Sequence, residues 1–146
     1  MKKTTASIIL LLVYLSSLFA YGVYYQSPKQ KVISLASLLQ QRIKTTDLTE
    51  NEVSTLLLNG YTVIKFRFDS SMSSLLMKDF LERKVNSYGY SSQTVLVELP
   101  NYQAGYIVEI ISPNGEKSLV NSTQEEVTKN LCNLLVSKPT ECALIG

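Results

Sequence analysis

Apolar residues fall along this chain in three rhythms, and each rhythm predicts a different kind of element. Residues 6–25 are almost continuously apolar, and no charged residue lies between Lys3 and Lys29. A helix of about 20 such residues spans the ~30 Å hydrocarbon core of a bilayer, and the tyrosines at its far end suit a membrane–water interface. The pattern predicts one N-terminal transmembrane helix over residues 6–25. A cleaved signal peptide is the alternative, since Lys2 and Lys3 provide a basic start and Ala20 and Gly22 are small. The length of the run and the bulky Leu18 and Phe19 before Ala20 favour the anchor. Both readings place the rest of the chain outside the cytoplasm, tethered by a single pass or secreted.

Beyond a polar connector containing Pro28, the rhythm changes to helical and then to alternating. Val32, Leu35, Ala36, Leu39 and Ile43 form an amphipathic stripe that predicts a helix from Lys31 to Lys44. Thr49-Glu50-Asn51-Glu52 fits a capping box opening a short helix through Leu58, with Asn59-Gly60 as its stop. Tyr61 to Phe68 alternates, with Ile64, Phe66 and Phe68 on one side and Val63, Lys65 and Arg67 on the other, as in a strand. On that second face the stems of Lys65 and Arg67 are expected to lie along apolar surface.

Asp69, Ser70 or Ser71 then offers a cap for a helix carrying Leu76, Met77, Phe80, Leu81, Lys84 and Val85, ending near Tyr88-Gly89. Thr94 to Leu99 reads as a strand stopped by Pro100. Tyr106–Ser112 and Glu116–Val120 read as a hairpin around Pro113-Asn114-Gly115. Thr123-Gln124-Glu125-Glu126 is a second capping box, and its helix presents Val127, Leu131, Leu134 and Leu135 on one face before Pro139. The expected core is Ile64, Phe66, Phe68, Phe80, Leu81, Val95, Val97, Leu131 and Leu135.

Two regions follow: an N-terminal anchor or signal over residues 1–28, and a single extracytoplasmic domain over residues 29–146, long enough for a real core. Fourteen basic residues less Lys2 and Lys3 leave twelve, against twelve acidic ones, so this domain is formally neutral. Neutrality argues against a nucleic-acid partner, which needs concentrated positive charge. The chain has no histidine. Serine–histidine and cysteine–histidine nucleophile pairs and histidine-containing zinc sites are therefore excluded. Two cysteines cannot form a four-thiolate cage, the carboxylates lack calcium-loop spacing and the scattered glycines form no phosphate loop. No catalytic residue, cofactor or metal is expected. Asn121-Ser122-Thr123 matches a glycosylation acceptor and supports an exposed loop there.

From Tyr61 the order is strand, helix, strand, hairpin, helix. Over roughly residues 50–137 this order resembles the thioredoxin-like superfamily, and Pro113-Asn114-Gly115-Glu116 looks like that family's hairpin turn. The resemblance implies an α/β fold with a mixed sheet flanked by helices. In that family a Cys-x-x-Cys pair opens the helix after the first of these strands, where the helix start lowers a thiol pKa. Ser71, Met72, Ser73 and Ser74 occupy the corresponding stretch here, as a degenerate active-site region. Ala104-Gly105-Tyr106 stands where the family's cis-proline normally precedes the hairpin.

Cys132 and Cys142 are the only thiols. Outside the cytoplasm the simplest expectation is one structural disulfide between them. The leading functional expectation is a membrane-anchored thioredoxin-like module that binds or positions a protein partner. The competing one is a thiol–disulfide oxidoreductase using Cys132 and Cys142. A secreted small-ligand carrier is a third, and it would need an apolar cavity.

Overall fold

The computed structural model describes residues 34–144. The expected membrane segment over residues 6–25 lies outside them, and among the described residues no helix is long and apolar enough to cross a membrane. The elements are α1 (Leu35–Leu39), β1 (Ile43–Lys44), α2 (Glu50–Leu58), β2 (Thr62–Phe68), α3 (Met72–Asn86), β3 (Thr94–Pro100), β4 (Tyr106–Ser112), β5 (Gly115–Val120) and α4 (Gln124–Leu134), followed by a 3₁₀ turn over Thr140–Leu144. This is an α/β fold.

The strands form one mixed five-stranded sheet in the order β1-β3-β2-β4-β5. β3 pairs in parallel with both β1 and β2, whereas β2–β4 and β4–β5 are antiparallel. Helix α3 is the crossover that parallel neighbours β2 and β3 require.

Helices cover both faces. On one face Ile64, Phe66 and Phe68 of β2 pack with Leu96, Val108 and Ile110 under Met77, Leu81 and Val85 of α3 and Val127 and Leu131 of α4. On the other, Val63, Val95 and Val97 pack under Leu38 of α1, Leu48, and Leu56 of α2. Covered on both sides, β3 is buried from Thr94 to Glu98, the expected state of a parallel central strand. The face expected to carry Lys65 and Arg67 is thus largely a second core layer. Their cations are paired, Lys65 with Asp47 at 2.7 Å and Arg67 with Glu109 at 2.7 Å.

Local chemistry sets the element ends. Both halves of the Thr49 capping box form: the threonine side chain accepts from Glu52 N, and Glu52 Oε2 accepts from Thr49 N at 2.8 Å. Ser71 caps α3 and Thr123 caps α4, each accepting from the amide three residues on. Gly115 sits at φ +132° at the hairpin turn. Asn114 Nδ2 donates to the carbonyls of Leu134 and Leu135 at 3.2 Å each, tying that turn to the open end of α4.

The structure corrects several expectations. The helix expected over Lys31–Lys44 is confined, among the described residues, to Leu35–Leu39, and Ile43–Lys44 is a strand. Ile43 packs on the larger core once Arg42 O accepts from Leu96 N at 2.8 Å, so pairing with β3 overrides the helical stripe. Helix α3 ends at Asn86, where Ser87 turns extended, rather than near Tyr88-Gly89. Leu76 is exposed because the buried line of α3 runs through Ser74, Met77, Leu81 and Val85. Phe80 is only partly buried, while every other residue of the expected core is buried. Asn121 is exposed as expected. Its side-chain oxygen accepts from Tyr106 N at 2.8 Å, and its own φ is +46°.

Candidate functional site

The Ser71, Met72, Ser73 and Ser74 stretch at the start of α3 is built around Asp69, the residue that follows β2. Asp69 Oδ1 accepts from Ser71 N at 3.0 Å, from Ser71 Oγ and from Ser74 Oγ at 2.6 Å. Its Oδ2 accepts from Gly105 N at 2.7 Å, and Asp69 N donates back to Gly105 O at 3.0 Å. This carboxylate therefore fastens the helix start to the loop before β4. A negative charge is well placed there, because it faces the positive end of the helix dipole.

Ser71 and Ser74 each have one hydroxyl proton, and Asp69 is its acceptor in both cases. Ser73 Oγ lies 3.1 Å from Ser71 Oγ. The cluster holds no thiol or imidazole to act as nucleophile or base. The hydroxyls of Ser71 and Ser74 are donors to the Asp69 carboxylate. Among the described residues no group of three or more acidic or cysteine side chains is placed to hold a metal.

The hydroxyl of Ser71, then that of Ser74, then the amides of Gly105 and Ser71 hold the Asp69 carboxyl well below the usual carboxylate range. A depressed folded pKa contributes stability that is present above the unfolded value of about 3.9 and is lost as pH falls toward the folded value. Urea unfolding compared at pH 6 and pH 3 should accordingly show a stability loss in the wild type that is smaller in Asp69→Asn. Equal losses in both would assign the acid sensitivity elsewhere.

An apolar ridge stands on the same first turns. Met72 is 73 % exposed, Leu75 44 % and Leu76 56 %. These positions are spaced i, i+3 and i+4, so their side chains share one helix face. The serine network beneath them fixes the helix start from which they project.

Cys132 and Cys142 are brought together, with sulfurs at 2.03 Å and Cα atoms 5.4 Å apart. Cys132 is buried in the last turn of α4, and Cys142 is half-buried in the 3₁₀ turn. Fully buried Tyr90 places its hydroxyl 3.6 Å from Cys132 Sγ and 3.7 Å from Cys142 Sγ and donates to Glu141 Oε1. Lys84, in the last turn of α3, pairs with the same Glu141 oxygen. A surface groove of about 510 Å³ borders this cluster, lined by Tyr88, Gly89, Ser137, Pro139 and Glu141 among others.

The serine cluster and the cysteine pair thus sit at opposite ends of α3. A helix of 15 residues is roughly 22 Å long, so the sulfurs stand far from the place the thioredoxin-like resemblance would give them.

The sequence signals this site only in part. An acidic residue two before a serine cap is a local turn signature, but the bond from Asp69 to Gly105 spans a long stretch of chain. Glu98, Tyr90 and Glu141 stand out only after folding, when Glu98 meets Lys78 and Tyr90 meets Glu141. No family model matches the chain, and neither a curated protein nor a solved structure does so.

Proposed function

We propose that this chain is a membrane-anchored, extracytoplasmic thioredoxin-like domain that binds or positions another protein through the Met72–Leu75–Leu76 ridge. Residues 6–25 are its anchor, and the helix start carries no redox chemistry. The observation that carries the reading is the exposed apolar ridge on a helix start whose polar groups are already engaged with Asp69. Exposed apolar groups gathered on one rigid element favour contact with a partner. The order strand, helix, strand, hairpin, helix and the parallel β2–β3 pairing support the thioredoxin-like assignment. The fitting partner is a protein offering an apolar face, since a neutral domain gives no reason to expect nucleic acid.

A photo-crosslinking residue in place of Leu76, in the full chain in intact cells, tests this. A discrete adduct should form, and Met72→Glu with Leu75→Glu should abolish it. Leu58→Glu should spare it, because Leu58 is 84 % exposed on α2, a helix of the opposite sheet face. An adduct indifferent to charge on the ridge, or equally sensitive to Leu58→Glu, would overturn the docking face.

The second reading is a thiol–disulfide oxidoreductase using Cys132 and Cys142. The half-buried Cys142, with a tyrosine hydroxyl near both sulfurs, favours it.

A further inference from the structure

Glu98 is a buried carboxyl that the docking face does not use. It stands on β3 at 5 % exposure. Its register partner is Phe66, and strand alternation places it on the face of Leu96, beneath α3. Lys78 Nζ lies 3.1 Å from Glu98 Oε2 and also contacts Glu82 Oε1 one turn further along α3. The other oxygen, Glu98 Oε1, is buried and has no hydrogen-bond partner.

Two ionised carboxylates on one ammonium leave a net negative charge in a partly dry layer, together with a buried acceptor that no donor reaches. One proton removes both problems. It neutralises Glu98 and converts an acceptor into a donor, and the carboxylate that shares the Lys78 ammonium with it, Glu82, is the acceptor at hand. Two carboxylates can hydrogen-bond each other only with a proton between them.

We propose that Glu82 and Glu98 hold a single proton between them, an acid–carboxylate pair on the Lys78 ammonium that fastens the middle of α3 to the sheet and loosens it when the proton leaves. The charged groups facing Glu98 among the described residues are Lys78 and Glu82, both on α3; on the sheet the same face carries Phe66 of the neighbouring β2 and Leu96 of β3 itself. Burial pushes the Glu98 carboxyl up, with Lys78 opposing the shift and Glu82 adding to it. The hydrogen bond from Lys78 draws Glu82 down. A raised folded pKa gives stability that is fully present below the ordinary carboxylate range and is lost as pH rises through the folded value. The clasp therefore holds on the acid side of that transition and slackens above it. This inference is independent of what docks at the start of α3.

The test is a pH titration of the full chain in detergent micelles, following carboxyl-labelled glutamate by carbon NMR and α3 amides by hydrogen exchange. The Glu98 signal, assigned by its loss in Glu98→Gln, should titrate above the ordinary glutamate range. In Glu82→Gln its midpoint should fall back toward that range. Exchange of the α3 amides around Lys78 should quicken above the wild-type midpoint and lose that dependence in Glu98→Gln. Three results would overturn the proposal: a Glu98 midpoint in the ordinary range, a raised midpoint that Glu82→Gln leaves unmoved, or α3 exchange with no break at that pH. Glu82 is part-exposed, so its variant keeps the test open should Glu98→Gln fold poorly.

Discussion

Leu135→Ala is expected to lower the unfolding free energy by about 2–5 kcal/mol, the usual range for truncating a buried leucine. Leu135 is 1 % exposed and belongs to the larger core with Leu131, Val127 and Phe66. It lies just beyond α4, at φ −61° and ψ 140°, with its amide donating to Leu131 O at 2.9 Å. That bond holds the backbone in place, so the shortened side chain would leave a cavity that its neighbours fill only in part. Small domains hold only about 5–15 kcal/mol in total, and a loss of this size should show as a lower urea midpoint at unchanged slope. Leu144→Ala, at a position 86 % exposed, should stay within about 0.5 kcal/mol of the wild type. Wild-type stability in Leu135→Ala would mean that this end of α4 does not carry the core.

The fold was legible where one residue's neighbours in sequence are also its partners in space. The alternation of Ile64, Phe66 and Phe68 predicts β2 and its buried face because strand periodicity is local. The Thr49 box and the Pro113-Asn114-Gly115 turn are likewise closed within a few residues, and the structure has both. The Lys31–Lys44 stripe misled because Ile43 takes its environment from β3, far along the chain. The same limit explains Leu76. Its spacing fits a buried stripe, but the line that meets the sheet runs through Ser74 and Met77.

The candidate site divides along the same boundary. A helix cap among Asp69, Ser70 and Ser71 and a close Cys132–Cys142 pair follow from residue type and spacing, and the structure contains both, with Ser71 as the cap. The part played by Asp69 depends on Gly105 arriving opposite it, and Glu98 depends on α3 laying Lys78 and Glu82 over β3. These are meetings of side chains from separate elements, for which no local pattern exists. They also explain how a helix start without cysteines remains ordered: the carboxylate of Asp69 binds the first turn to the β4 loop by four hydrogen bonds.

The double substitution Cys132→Ser, Cys142→Ser is expected to cost roughly 3 kcal/mol in the chain-entropy account of a short closed loop. The sequence separation of 10 closes a small ring, and the tail it retains has few other attachments. Ser137 N donates to Gln93 Oε1 at 3.0 Å, and Gln93 Nε2 donates to Ser137 O. Glu141 binds Lys84 and Tyr90. Burial works against the Glu141 carboxylate, but these two donors outweigh it and hold its pKa below the ordinary value. Opening the bridge would release a sulfur beside that carboxylate, where a second negative charge is unfavourable. On the proposed reading the bridge is structural, and its reduction potential should then fall below about −300 mV, the range of structural disulfides. The doubly substituted chain should unfold at lower urea yet keep its Leu76 crosslink wherever it is folded. Two free thiols in the wild type isolated from cells would remove the bridge from this account. A potential well above that range, with reductase activity lost in the double variant, would make the protein an oxidoreductase acting through Cys132 and Cys142.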